Sequence, residues 1–600
     1  MSRGVSACRI PQTRDQGRAF GLTGSPQPAG GGRVLLIVLC AIAGCAPTGA
    51  RIAQTVDGDD WSLPAWVQMT PNAGLISWAT PDKGHGDWLN RMATAPRFQD
   101  GAMHLAGICY VKWADVNPAE DVYNWSPVDE AIQRYCSNPG VGFTLWLANY
   151  NREVLPAWLM AKPGMYVLAD GTIPSWRTDC PYQKHLKKFL QALAAKYRDN
   201  PKFLALEMRG LDRDWGEVYY HGDLKDARDH HGFTPEAFKA WCLRYIDDAL
   251  EAFPGQAHKL IWLRQGGPDS PNYFHATLFP EYRQASIDVT RYAYAKGLGR
   301  RDGGLEVWTW YTWNAELYGQ RVTPDSYLET VEDFPALQDG RMWYTENEIL
   351  QNCPYLWPDS ESYRVWPILC LRALQFRCNW VWVDSNFYDR YDRDRPGLNR
   401  WFELSLGKTC RTSSDGWSWM REGYVWGHDG QRWDLHTVRN FERWVFQRNV
   451  PPDGNTVPEE WLDVTGWGQW IREWYFGKKG GEFHACRTDV ASGNACVYFH
   501  TWRGFLAGGP HDLLVKVTYR DGPATTWQLE YSTGQDVAAT PEITTAGSGK
   551  WKTVTFSVPD MHLDGRFAGG MDFRIANLGR KDLTVRFLRL VKHRTPAGDR

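Results

Sequence analysis

Residues 203–217 read FLALEMRGLDRDWGE. The first six, Phe203–Met208, are a short apolar run. The residues that follow hold Arg209, Asp212, Asp214, Trp215, Gly216 and Glu217. An apolar strand that opens straight into a polar, carboxylate-bearing loop is the unit expected of a parallel β/α fold. The flanks agree. Upstream, His185–Tyr197 places Phe189, Leu190, Leu193 and Tyr197 on one helical face. Downstream, Thr234-Pro235 supplies a cap and an N1 proline ahead of Phe238, Trp241, Tyr245 and Leu250.

The same alternation extends both ways. Further β-rich runs are Leu75–Trp78, Ile108–Trp113, Gly142–Leu147, Lys259–Leu263, Leu305–Trp310, Met342–Thr345 and Trp380–Val383. With Phe203–Met208 they make eight, the number that closes a (β/α)8 TIM barrel. We therefore assign residues 46–400 to an α/β barrel. Residues 401–479 are mixed and Trp-rich, with a turn cluster at Val450-Pro451-Pro452-Asp453-Gly454, and read as a connecting region. Beyond Gly480 the helical pattern stops. Leu513–Tyr519 alternates, with Val515, Val517 and Tyr519 on one face and Lys516 and Thr518 on the other. Trp527–Tyr531, Trp551–Val558, Asp572–Ile575 and Leu583–Val591 continue in that style. Residues 480–600 are expected to form a β-sandwich of jelly-roll type.

The first 45 residues read differently. Arg33 precedes the apolar run Val34–Ala43, which suits a signal-peptide core and is too short to span a bilayer. It ends in Ile42-Ala43-Gly44-Cys45, which resembles a bacterial lipobox; that resemblance implies lipidation at Cys45. Export to the outer membrane or cell surface follows as the expectation, with a periplasmic or secreted protein as the alternative. The only membrane contact expected is this N-terminal lipid anchor.

Residues 1–44 hold five of the 67 basic and one of the 69 acidic residues, so the remainder carries a net charge of −6. No basic field remains for nucleic acid. The 13 cysteines include no C-x-x-C pair, which gives no zinc or redox signature. Cys486 and Cys496 are close enough in sequence to pair, although buried thiols are the commoner state. Asp389, Asp392 and Asp394 alternate with arginines and read as a salt-bridged loop, not a calcium site. No metal or cofactor is expected. G-x-S-x-G, H-E-x-x-H and Walker A patterns are absent.

Tryptophan is the compositional outlier, at 33 of 600 residues. Indoles suit both deep aromatic cores and surfaces that stack on sugar rings. Reactive groups of a barrel project from the C-terminal ends of its strands. Those positions hold Trp146 and Asn149 after the third run, Arg264 after the fifth and Trp313 after the sixth. Glu346, Asn347 and Glu348 follow the seventh. Amides, carboxylates and aromatics hydrogen-bond hydroxyls and stack on pyranoses. Glycoside hydrolysis needs two carboxyl groups flanking one acetal. Glu217 paired with Glu346 or Glu348 satisfies that demand, and Glu207 within the fourth run is a further candidate acid.

The layout resembles glycoside hydrolase clan A, nearest to family 42 beta-galactosidase-like barrels. The resemblance rests on Val111-Lys112-Trp113-Ala114-Asp115-Val116-Asn117-Pro118 with Tyr123-Asn124-Trp125, and spans roughly Leu63 to Asn399. It implies an acid/base at the end of strand four and a nucleophile at the end of strand seven, Glu217 and Glu346 in this chain, and hydrolysis with retention. The sequence departs from the family in having Gly216, not Asn, before Glu217, and Asn347 after Glu346. Trp146, Asn149, Arg264, Trp313, Asn347 and Glu348 are the expected contacts to an oligo- or polysaccharide, with β-galactoside-type linkages as the first candidate. Two other readings remain from sequence: a non-catalytic carbohydrate-binding lipoprotein, and a polysaccharide lyase.

Overall fold

The computed structural model describes residues 49–593, apart from 82–83, 212–217, 219–221, 264–279, 303–318, 333–340, 347–358, 384, 395, 429–432, 464 and 466–478. The first element among the described residues is strand β1 (Arg51–Asp57). Six parallel strands follow: β2 (Gly74–Trp78), β3 (Leu105–Lys112), β4 (Val141–Ala148), β5 (Phe203–Met208), β6 (Leu260–Leu263) and β7 (Gly299–Asp302). After a small hairpin of β8 (Gln320–Val322) and β9 (Leu328–Thr330) come β10 (Trp343–Glu346) and β11 (Trp380–Trp382). Strands β2–β7, β10 and β11 close into an eight-stranded parallel barrel, in which β7 pairs with β10 and β11 with β2.

Both faces of these strands are buried, as parallel strands require. On β4, Phe143, Leu145 and Leu147 join the layer under the helices, while Trp146 packs in the interior with Ile76, Ile108, Ile261 and Trp382. The helices were capped as the sequence indicated. Thr234 Oγ1 accepts the Ala237 amide at 3.1 Å, and Pro235–Ala252 buries Phe238, Trp241, Tyr245 and Ile246.

The sixth barrel strand corrects our expectation. It is Gly299–Asp302, whereas Leu305–Trp310 lies outside the described residues. Its sequence, GRRD, has no apolar signal. Both arginines are nevertheless buried: Arg301 pairs with Glu207 inside the barrel, and Arg300 packs 4.6 Å from the Trp343 ring centre. Gly299 is needed for closure, because a Cβ there would sit 2.4 Å from the Met342 carbonyl oxygen of the neighbouring strand.

The C-terminal half contributes β12 (Asp415–His428), β13 (Trp433–Arg443), β14 (Val445–Arg448), β15 (Val457–Asp463), β16 (Gly481–Arg487) and β17 (Cys496–Thr501). It continues with β18 (Gly508–Arg520), β19 (Thr526–Ser532), β20 (Val537–Ala539), β21 (Ile543–Thr544), β22 (Trp551–Leu563), β23 (Phe573–Asn577) and β24 (Thr584–Lys592). With β1 they form one antiparallel sheet of fourteen strands. Its two wings meet at a single pairing, Ser532 with His562, and share one core of residues such as Val515, Phe556 and Leu588 from one wing and Phe499, Trp527 and Ile575 from the other.

This sheet is not confined to residues 480–600. It takes β1 from the N-terminal side through its pairing with β22, and β12–β15 from the stretch we read as a connector. Cys486 and Cys496 are both free and buried, because β16 and β17 belong to different wings. Asp389 and Asp392 lie on a helix, Ser385–Asp394, not a loop; Asp389 accepts from Trp88 and Arg91, and Asp392 from Arg97. Among the described residues no helix is long and apolar enough to cross a membrane.

A layer of indoles joins the sheet to the barrel. Trp61 packs on Trp401 at 4.8 Å and on Phe587 at 5.2 Å, and Trp401 donates to Asp415 at 2.9 Å. The polar face of β18 is therefore covered as well. Lys516 Nζ lies 2.7 Å from Asp60 Oδ2 and donates to Ser62 Oγ. Burial pushes the Lys516 ammonium down to about 8. Burial acts on Asp60 in the opposite sense, but its hydrogen bond to Lys516 and the ammonium charge win, holding the carboxyl at about 2 against an ordinary 3.8. A depressed carboxyl pKa contributes stability that is complete above the unfolded value and lost as pH falls through the folded one. The stability advantage of the intact chain over Asp60→Asn should thus narrow between pH 4 and pH 2 in denaturant titrations. A constant difference over that window would refute the assignment.

Candidate active site at the barrel mouth

The C-terminal ends of β2–β5, β7, β10 and β11 bring a compact set of aromatic and charged groups together. Trp146 of β4 stacks on Trp78 of β2, with ring centres 4.3 Å apart and planes 17° off parallel. Trp382 of β11 meets Trp146 edge-on at 6.1 Å, and Tyr110 of β3 does so at 6.5 Å. Trp78 and Trp146 are half-buried, and Tyr110 is 40% exposed. The Tyr110 hydroxyl lies 3.4 Å from that of Tyr150, and burial of the Tyr110 phenol pushes its ionisation up, so this ring stays a neutral donor and a stacking surface.

Charges sit directly against this aromatic cluster. Glu207 is buried on β5 and accepts hydrogen bonds from Arg209 and, at 2.8 Å, from Arg301 of β7. The Arg209 guanidinium lies 3.8 Å from the Trp146 ring centre and that of Arg301 5.3 Å from it. Two cations thus share one carboxylate and one indole face, a desolvated arrangement that fixes the Trp146 ring. Glu207, weighed from sequence as a further acid, is held here as a structural anion.

Glu346 is the last residue of β10, the seventh barrel strand, and pairs in register with Trp382. The fourth strand leads to Leu211, whose φ of 73° is a left-handed conformation that a leucine adopts only at a cost of about 1–2 kcal/mol. Leu211 bridges antiparallel to Val218, the residue after Glu217. The Asn149 side chain is fully buried. Its side-chain amide donates to the Tyr245 hydroxyl at 3.4 Å, and the Asn149 backbone carbonyl accepts from Tyr182 at 2.6 Å. It ties the third strand to two helices and is withdrawn from the mouth surface, which corrects its expected role as a substrate contact. Glu217, Arg264, Trp313, Asn347, Glu348 and Cys45 lie outside the described residues.

Trp78, Tyr110, Trp382 and Arg301 were not singled out from sequence. The three aromatics were detectable in principle, as inward-facing positions at or near the C-terminal ends of their strands. Arg301 had no such signal, since its strand was not recognised.

No sequence profile of a known family matches the chain. "Beta-galactosidase BgaA" of Planococcus sp. (strain 'SOS Orange') is 27% identical over 158 residues, covering 24% of this chain and 22% of that protein. "Beta-galactosidase BgaP" of Planococcus sp. (strain L4) is 26% identical over 158 residues with the same coverage. The chain thus matches about a fifth of the length of these curated relatives. Among solved structures, the catalytic domain of beta-amylase from Paenibacillus polymyxa is matched over 56% of this chain and 99% of its own, at 10% identity and a TM-score of 0.36. Endo-glycoceramidase II from Rhodococcus sp. is matched over 82% and 100%, at 13% identity and a TM-score of 0.27. At these scores the structural likenesses carry no argument about mechanism.

Proposed function

We propose that the chain is a retaining glycoside hydrolase acting on β-galactoside-type or related polysaccharide linkages. The observation that carries this reading is the position of Glu346 at the end of the seventh strand of a closed parallel barrel, beside Trp382 of the indole-lined mouth. Two facts support it. The bridge from Leu211 to Val218 returns the chain, at the residue next after Glu217 in sequence, to the segment that follows the fourth strand. The short segments shared with two beta-galactosidases agree with the reaction class.

In this reading Glu217 protonates the glycosidic oxygen while Glu346 attacks the anomeric carbon, giving a glycosyl ester and the freed alcohol. Glu217, now a carboxylate, takes a proton from water as that water displaces Glu346. The exposed Tyr110 ring stacks on the pyranose, while Trp146, sandwiched between Trp78 and Arg209, backs it edge-on. The Glu207–Arg209–Arg301 cluster holds Trp146 in place and takes no part in proton transfer. The test is the anomer released from an aryl β-galactoside, read by proton NMR immediately after mixing. The β-anomer is expected first, and the α-anomer first would overturn retention.

The proposal includes export and lipidation at Cys45. Growth with labelled fatty acid should label the intact chain and not Cys45→Ala; equal labelling of both would remove the anchor from this reading.

A further inference from the structure

A second cleft, of about 830 Å³, lies at the seam between the barrel helices and the antiparallel sheet. Among the described residues no barrel strand lines it, so it is separate from the mouth. Pro367 and Leu398 form the barrel side; Trp419, Trp461, Trp551 and Arg586 form the sheet side.

Its construction has two notable features. The first is an exposed indole. Trp461 is 43% exposed, although its edge is fixed by Phe483 at 4.8 Å. Gly481 makes room for it, since a Cβ there would stand 2.8 Å from the Trp461 ring. Exposed large apolar side chains held rigidly in a cleft mark contact surfaces. The second is a fixed cation in the wall: Arg586 packs on Trp551 at 4.1 Å and donates to Asp59 at 2.6 Å, with its side chain still 17% exposed.

The remaining lining fixes the chemistry of the partner. Asp57, Asp59, Asp60 and Glu460 pair with Lys550, Arg586, Lys516 and Arg520 respectively. Each ionised carboxylate still offers further acceptor positions. An anionic ligand would meet four carboxylates. A purely apolar ligand would desolvate them without replacing their hydrogen bonds to water. A neutral polyol with one flat apolar face suits this lining: its oxygens accept from Arg586, its hydroxyls donate to the carboxylates, and its ring face covers Trp461. The volume lies within the range of small-ligand sites, about 300–1,000 Å³.

We infer that this cleft is a non-catalytic binding site for a neutral saccharide. It rests on the proposed function only in that both concern sugars, and the experiment separates them. The full chain carrying Glu346→Gln is titrated calorimetrically with β-1,4-galactotetraose, cellotetraose and mannotetraose. At least one is expected to bind, with affinity reduced about tenfold or more by the further change Trp461→Ala and less by Trp461→Phe, the scale of one lost aromatic stack. Far-UV circular dichroism establishes that both variants are folded. Binding unchanged by Trp461→Ala, or no binding by any of the three, would overturn the site. Hydrolysis by the Glu346→Gln chain would instead overturn the catalytic reading and leave this one standing.

Discussion

Glu346→Gln is expected to lower kcat on an aryl β-galactoside by at least about 10³-fold while leaving the chain folded. The magnitude follows from what is removed. A covalent nucleophile splits one difficult displacement into two easier ones, and losing such a group costs several orders of magnitude. The change preserves side-chain size at the last residue of β10 and leaves the backbone pairing of that strand with β11 untouched. KM should move far less than kcat, because the stacking surface of Tyr110 is unaltered. Equal kcat in variant and parent would exclude Glu346 as nucleophile.

A pair of smaller variants then assigns the roles separately. With Glu346→Ala, added azide has room to attack the anomeric carbon directly, so the product should be an α-glycosyl azide. With Glu217→Ala, the nucleophile still forms the glycosyl-enzyme and azide replaces water in the second step, so the product should be a β-glycosyl azide. Exchanged outcomes would exchange the roles, and a response to Glu348→Ala in place of Glu346→Ala would move the nucleophile two residues on.

How far the sequence carries the fold depends on where its charges go. Strands such as Val141–Ala148 and Phe203–Met208 announce themselves because both faces bury apolar side chains. Gly299–Asp302 does not, because Arg301 enters the barrel interior as the partner of Glu207. The same cause obscured β12–β15, whose mixed, Trp-rich stretch reads as a connector: Arg421 pairs with Glu482 and Arg448 with Glu442 within the sheet, so its charges are taken up internally. Charge patterning marks solvent unless each charge meets its partner, and that partner is distant in sequence: 94 residues separate Glu207 from Arg301. The candidate site divides along the same line. The end of the seventh strand was legible, because the apolar run Met342–Thr345 leads directly to Glu346. Asn149 was misread because nothing local shows that Tyr245, 96 residues away, receives its amide. The tryptophans likewise serve two ends, with Trp78, Trp146 and Trp382 at the mouth and Trp61, Trp401 and Trp419 at the seam.

The second large effect concerns Glu207, and here stability is the expected casualty. Glu207→Gln keeps the shape of the side chain but removes the negative charge shared by Arg209 and Arg301, all three being buried. Removing one member of a buried ionic cluster typically costs about 3–5 kcal/mol, because desolvated charge is left behind. The unfolding midpoint in urea should fall accordingly, at unchanged slope. Arg301→Met should cost less, since Glu207 keeps Arg209 and the methionine fills space against Trp146 and Trp382. This ordering separates the two roles that Glu207 might hold. As a structural anion it lowers stability when neutralised, and whatever variant remains folded keeps its pH–rate profile, because Glu217 still supplies the proton. As an acid/base it would leave the midpoint unmoved and remove the basic limb of that profile. A stable Glu207→Gln chain with a lost basic limb would transfer the acid/base role from Glu217 to Glu207. A destabilised chain with an intact profile is the result that the Glu207–Arg209–Arg301 geometry requires.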